Sequence, residues 1–159
     1  MIALLAAAAV AVAAAPPAAR LDVDIGSASY AVAVERGGAT TSGALHIDCI
    51  AACRSAVHFT EAVDDVPLGL FRLWDGDNLV FTTWGGGSVY RVRAYAINAR
   101  GVRKVLEAAS RGAPAFTTAT DGTTVVGTTE RGDRDPPSAP LHRVSWTWRH
   151  DHFVRRATP

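Results

Sequence analysis

The chain has 159 residues, a length that fits one domain, and 48% of its residues are hydrophobic. Sixteen basic and fifteen acidic side chains leave a net charge of +1. A chain with this balance lacks the basic excess of proteins that bind nucleic acid or anionic membranes as their main partner.

The chain begins with an apolar segment, because Ile2 to Ala15 contains no polar side chain. About fourteen apolar residues fit the hydrophobic region of a signal peptide, whereas a transmembrane helix needs roughly 20. Residues 11–13 (Ala-Val-Ala) offer the pattern of small residues that signal peptidases cleave. We therefore predict a signal peptide and short flexible start over 1–19, a single β domain over 20–159, and a periplasmic or secreted protein without a membrane anchor.

Beyond this segment, short runs rich in Val, Thr, Tyr, Phe and Trp are separated by clusters of Gly, Asp, Asn and Pro. This pattern is typical of β-strands and turns. The predicted strands are 29–36, 43–48, 55–60, 68–73, 78–84, 88–97, 114–119, 123–129, 141–149 and 152–156.

The two cysteines of the chain are Cys49 and Cys53. An even, minimal number of cysteines in a small exported protein favours one disulfide, which here would pin a turn. A metal site is the alternative, because His46 and His58 flank the cysteines within thirteen residues. Thiolate and imidazole ligands together suit Zn²⁺ or copper. We predict the disulfide, with no metal and no other cofactor.

Trp84 is followed by three glycines at 85–87. An indole beside a mobile glycine loop can stack on a sugar or anchor a protein partner, so Trp84 is a candidate binding residue. Packing in the core is the alternative for this side chain. Further along, Val144, Trp146 and Trp148 alternate with polar residues, which predicts a half-buried strand with both indoles on its inner face.

Two segments, 68–107 and 114–157, resemble each other and are interpreted as an internal repeat. Residues 74–83 and 120–129 are identical at five of ten positions. Each contains an Asp-Gly pair, Asp75-Gly76 or Asp121-Gly122, which favours a hairpin with a type I′ turn because both residue types tolerate positive φ. The repeat therefore predicts two related four-stranded antiparallel meanders.

One segment, 101–110, is ambiguous between strand and helix. Four of its side chains recur at helical spacing, namely Val102, Val105, Leu106 and Ala109. The repeat requires a strand at the same place. We predict a strand over 101–106 and a helical turn over 107–110.

The predicted fold class is all-β, with at most one short helix. The meanders are expected to pack as a two-sheet sandwich or, alternatively, as an open blade-like repeat with a degenerate third unit before residue 62.

Other polar clusters have structural explanations. The His-Asp-His triplet at 150–152 falls where the repeat predicts a solvated turn, and Asp75, Asp77 and Asn78 lack the acidic residue that would complete a calcium loop. The serines, among them Ser55, Ser88 and Ser145, lie in no Gly-x-Ser-x-Gly elbow.

We therefore predict a non-catalytic binding or structural module whose ligand is a protein or a carbohydrate. Metal binding or delivery through His46, Cys49, Cys53 and His58 is the alternative function, and a hydrolase is the third.

Overall fold

A computed structural model describes residues 18–38, 42–54, 56–74, 77–132 and 135–157. Most of the predicted signal peptide and its candidate cleavage sites lie outside these ranges. Within them, no helix is long and apolar enough to cross a membrane.

Every regular element of the described chain is a β-strand. In order they are β1 Ala19–Ile25, β2 Ala28–Arg36, β3 Gly43–Ala51, β4 His58–Val63, β5 Val66–Phe71, β6 Leu79–Gly86, β7 Val89–Asn98, β8 Gly101–Ser110, β9 Ala115–Thr118, β10 Thr124–Glu130, β11 His142–Arg149 and β12 His152–Ala157. The predicted all-β fold class is confirmed.

The described strands form three antiparallel meanders in which neighbours in sequence are neighbours in space. The first sheet is β1–β4, the second is β5–β8 and the third is β9–β12. Of the two arrangements expected, the open stack of blade-like sheets describes the molecule and the two-sheet sandwich does not. The first part of the chain forms a four-stranded sheet of its own, β1–β4, while the internal repeat stays a prediction.

The second sheet lies between the other two and is covered on both faces, because its side chains alternate between two separate cores. On one face Val80, Trp84 and Tyr95 are fully buried against the first sheet, in a cluster that includes Val32 and Ile47. On the opposite face the core joins the second and third sheets, and its members include Leu79, Phe81, Ala94, Val126, Trp146 and Phe153. The middle sheet therefore fixes the positions of both outer sheets.

A group of charged side chains also connects the first sheet to the second. Arg93 of β7 is only 9% exposed and lies 3.1 Å from Glu61 of β4 and 3.0 Å from Glu107 of β8. Lys104 contacts both carboxylates, at 2.9 and 2.5 Å, and Tyr95 donates a hydrogen bond of 3.1 Å to Glu61. Because a buried guanidinium is costly unless it is paired, these contacts are what allow Arg93 to lie between two sheets.

Two local predictions need correction. Residues 107–110 are not a helical turn but the second half of β8, whose residues pair with β7 as far as Ser110. The start of the domain is also ordered earlier than expected, because the backbone N–H of Ala18 donates to the carbonyl of Val34 at 2.8 Å and β1 begins at Ala19.

The hairpin turns follow the chemistry of their residues. His150 and Asp151 both have positive φ, 48° and 65°, as the central residues of a type I′ turn require, so the predicted solvated turn at 150–152 is confirmed. The Asp121-Gly122 turn differs from prediction. Residues 119–123 connect β9 to β10, the backbone N–H of Gly122 donates to the carbonyl of Ala119 at 2.9 Å, and Gly122 is the one residue among them with positive φ, 81°. Asp75 and Gly76 lie outside the described residues, so the equivalence of the two Asp-Gly turns stays a prediction.

Candidate functional site

Cys49 and Cys53 are joined in a disulfide, with their Cα atoms 6.3 Å apart. The bridge closes the loop after β3, in which Ala52 has a φ of 54°. The backbone N–H of Cys49 donates to the carbonyl of Val57 at 3.0 Å, which closes the same loop beside β4. The predicted disulfide is therefore present, and it removes both thiolates from the candidate metal-ligand set.

The two histidines of that set project from the outer face of the first sheet. His46 on β3 lies 3.1 Å from the hydroxyl of Thr60 and 3.5 Å from Glu35. His58 on β4 is exposed, and its ring forms a hydrogen bond with the carboxylate of Asp48. In the described part of the chain, no group of three or more His, Cys, Asp or Glu side chains is placed to hold a metal ion.

Trp84 is not an exposed binding residue, and that prediction is corrected. Its side chain is completely buried, and its indole N–H donates to the hydroxyl of Thr82 at 2.7 Å. The ring fits against the backbone of Gly43, where a Cβ would lie 2.8 Å from it. The glycines after Trp84 form the β6–β7 hairpin, with Gly87 at positive φ in the turn, and do not open the core.

Asp77 is a structural residue that ties the second sheet to the third. One carboxylate oxygen accepts the backbone N–H of Leu79 at 3.0 Å, and the other accepts the hydroxyl of Thr124 at 3.2 Å. Burial raises the pKa of this carboxyl above its ordinary value. The carboxylate of Asp77 therefore connects two sheets.

The serines named above form no catalytic pair with a histidine where they are described. Ser55 lies outside the described residues, the hydroxyl of Ser88 accepts from Arg111 at 3.3 Å, and Ser145 donates to the carbonyl of Arg156 at 3.5 Å. The arrangement gives no support to nucleophilic catalysis at Ser88 or Ser145.

A cleft of about 590 Å³ opens between the second and third sheets. Its walls are the second half of β8 with Arg111, and the end of β10 with Arg131 and Gly132. Val89 of β7, Trp146 of β11 and Arg155 of β12 complete the lining. The cleft is thus built by residues of the second sheet and of the third, which are separated in sequence.

A chain of contacts holds the aromatic side of the cleft in place. The indole N–H of Trp146 donates to the hydroxyl of Thr128 at 3.0 Å, and that hydroxyl donates to Glu130 at 2.5 Å. The other oxygen of Glu130 accepts from the guanidinium of Arg155 at 2.9 Å. Arg155 also lies over the Trp146 ring, 5.7 Å from its centroid, within cation–π range. One guanidinium is thereby fixed at the cleft surface before any ligand arrives.

Two arginines that line the cleft, Arg111 and Arg131, form no ion pair with a described carboxylate. Arg111 contacts the hydroxyl of Ser88, and Arg131 donates to the carbonyl of Ala139 at 3.4 Å. Among the described residues, no carboxylate lies within ion-pair distance of either guanidinium. The cleft therefore has an excess of positive charge.

Glu107, the second carboxylate at the cleft, is already used. A hydrogen bond from Lys104, together with the nearby charge of Arg93, lowers the pKa of Glu107 below its ordinary value. This carboxylate therefore stays ionised and paired within the protein, and it does not neutralise the arginines of the cleft.

The arrangement suits binding of an anionic group. A guanidinium presents a planar fork of N–H donors that matches a carboxylate or a phosphate, and the resulting charge-assisted hydrogen bonds are about twice as strong as neutral ones. Sequence reasoning missed Arg111, Arg131 and Arg155, since arginines are frequent in this chain and nothing local distinguishes these three. Comparison of the chain with protein-family models, with curated proteins and with solved structures gives no match.

Proposed function

We propose that the protein is an exported, non-catalytic binding module that captures a ligand with an anionic group in the cleft between its second and third sheets. The observation that carries the proposal is the pair of arginines, Arg111 and Arg131, that line this cleft without a carboxylate partner in the described chain. An arginine pair of this kind gains charge-assisted hydrogen bonds only when an external anion supplies the acceptors.

The volume and the lining of the cleft indicate that the ligand is a small molecule. A cleft of about 590 Å³ lies within the range of about 300 to 1,000 Å³ in which small-molecule sites fall. The carboxylate of Glu130 lines the cleft and can accept from ligand hydroxyls, while the arginines bind the anionic group. An acidic sugar combines these features and belongs to the carbohydrate class that the sequence analysis expected.

Export is part of the same proposal and rests on two features. The apolar run before Ala15 has the length of a signal-peptide hydrophobic region, and the disulfide of Cys49 and Cys53 suits an oxidising compartment. Protein recovered from the bacterial periplasm is expected to lack about its first 13 to 19 residues by intact mass. Met1 retained in a soluble cytoplasmic product would contradict export.

Binding is tested by isothermal titration with glucuronate, with glucose as the neutral counterpart. Glucuronate should bind and glucose should not, and added salt should weaken the binding. Arg111→Gln should lower the affinity for glucuronate by about 10- to 100-fold, which corresponds to the roughly 1.5–3 kcal/mol of a hydrogen bond to a charged group.

The matched control is Arg143→Gln, which removes an exposed guanidinium of β11 that does not line the cleft. This variant should bind glucuronate as the wild type does. Equal binding of glucose and glucuronate, or an equal loss in both variants, would show that the cleft arginines do not select the ligand.

A further inference from the structure

The two ends of the stack are open sheet faces of opposite charge. On the first sheet, the side chains that point away from the core include four carboxylates and one guanidinium, which are Asp22, Asp24, Glu35, Asp48 and Arg20. Arg20 contacts Asp22 at 3.3 Å, Asp24 accepts the hydroxyl of Ser29 at 2.6 Å, and the histidines of this face contact Glu35 and Asp48. Negative charge therefore predominates on this face.

The outer face of the third sheet carries the opposite charge. Arg143 and Arg149 of β11 and Arg156 of β12 are exposed and alternate with residues that face the core. No described carboxylate lies within ion-pair distance of any of the three. Asp121 is exposed in the turn between β9 and β10. Hydrogen bonds from Thr123, with a smaller effect from the charge of Arg149, lower the pKa of its carboxyl.

Both outer faces also carry small side chains near their centres. Ala31, Ala33 and Ala44 occupy the middle of the first face, and Gly127 and Ser145 occupy the middle of the third. Small side chains allow two sheets to approach closely, at about 10 Å between backbones. Each face therefore combines small central side chains with charged positions around them.

We propose that the acidic outer face of the first sheet binds the basic outer face of the third sheet in a second copy of the chain. This contact continues the face-to-face stacking of the three sheets within one chain. Because the two surfaces differ, the association is head to tail and gives a closed ring or an open filament. The charges set the register and exclude pairing of like faces.

The expected affinity is low, since the faces are small. Four strands about 4.8 Å apart and about seven residues long present roughly 400 Å² per face, or about 800 Å² in total. Stable interfaces bury about 1,200–2,000 Å². Association is therefore expected only at high protein concentration and low salt, with a Kd from tens of micromolar to about 1 mM.

Sedimentation velocity tests the proposal with two charge-reversed variants. Arg143→Glu with Arg156→Glu makes both outer faces acidic, and Asp22→Arg with Asp24→Arg makes the first face basic as well as the third. At about 0.01 M salt, where the Debye length is about 30 Å, the wild type should self-associate with rising concentration. About 1 M salt should reverse this association.

Each variant alone should be monomeric, and an equimolar mixture of the two should associate, because every acidic face then meets a basic one. Arg111→Gln, which alters only the cleft, should associate as the wild type does. A wild type that stays monomeric at about 1 mM and low salt would overturn the proposal. So would a mixture that associates no more than its components do, while circular dichroism shows both variants folded.

Discussion

Replacement of Gly43 by alanine is expected to destabilise the protein by wedging the first sheet away from the second. Gly43 is the first residue of β3, and a Cβ built on it lies 2.8 Å from a ring carbon of Trp84. The same atom lies 2.7 Å from the carbonyl oxygen of Glu35 and 3.1 Å from the ring of Pro67. Carbon atoms in contact normally stay about 3.5–4.0 Å apart, so the added methyl group forces a neighbour to move.

The size of this destabilisation depends on how little the neighbours of the added methyl group can move. A backbone carbonyl and a fully buried indole cannot rotate away, and overpacking of a well-packed core costs about 1–3 kcal/mol. For a domain of this size, each kcal/mol lowers Tm by about 3 °C. Gly43→Ala should therefore melt about 3–9 °C below the wild type.

The matched control is Gly127→Ala on β10. A Cβ at Gly127 lies 3.5 Å from the Cβ of Ala115, which is an ordinary contact. Since glycine inside a strand costs roughly 0.5–1 kcal/mol relative to alanine, this variant should keep or slightly gain stability. Urea denaturation and calorimetry compare the two. If Gly43→Ala is as stable as Gly127→Ala, the close packing of Trp84 against β3 is wrong.

Three further predictions concern single contacts. Asp77→Ala should lower the free energy of unfolding, measured in urea, by about 1–3 kcal/mol, because it leaves the N–H of Leu79 unpaired. Asp77→Asn keeps an acceptor for that N–H and should be destabilised less. Equal destabilisation of the two variants would contradict the bridging role of Asp77. Gly122→Val should cost about 1–3 kcal/mol, since a φ of 81° strains a β-branched residue, and unchanged stability would argue against the turn. A hydrogen bond from Lys104 lowers the pKa of Glu107 in the folded protein below its ordinary value of 4.5. The ionised carboxylate therefore stabilises the fold above pH 4.5, and this contribution is lost as the pH falls through the lower pKa of the folded state. Glu107→Gln should accordingly lose less stability than the wild type on acidification, and parallel curves would refute this.

The alternation of apolar and polar residues predicted most of the strands, yet it was missed at β1. Leu21, Val23 and Ile25 alternate with polar residues, but the predicted strands begin at residue 29 and omit this one. At 101–110 the helical spacing of apolar side chains was misleading, because pairing with β7 along its whole length outweighs a local pattern. Trp84 was misjudged because its neighbouring glycines suggested a mobile loop, while they form a tight hairpin.

The cleft was not predictable from local sequence. Its arginines come from the ends of β8 and β10 and from β12, and only the stacking of the second sheet on the third brings them together. Trp146 was correctly placed on the inner face of its strand. Nothing in its neighbourhood in sequence indicates that one side of the indole borders a cleft under Arg155.

The most direct test of the proposed function is nuclear magnetic resonance of the indole N–H groups during titration with glucuronate. The signal of Trp146 should shift in a saturable way, because its N–H is linked through Thr128 and Glu130 to Arg155 at the cleft. The signal of Trp84, buried at the opposite interface, should stay in place, and glucose should move neither. A titration that leaves Trp146 unchanged, or that shifts both indoles alike, would contradict an anion-binding cleft between the second and third sheets.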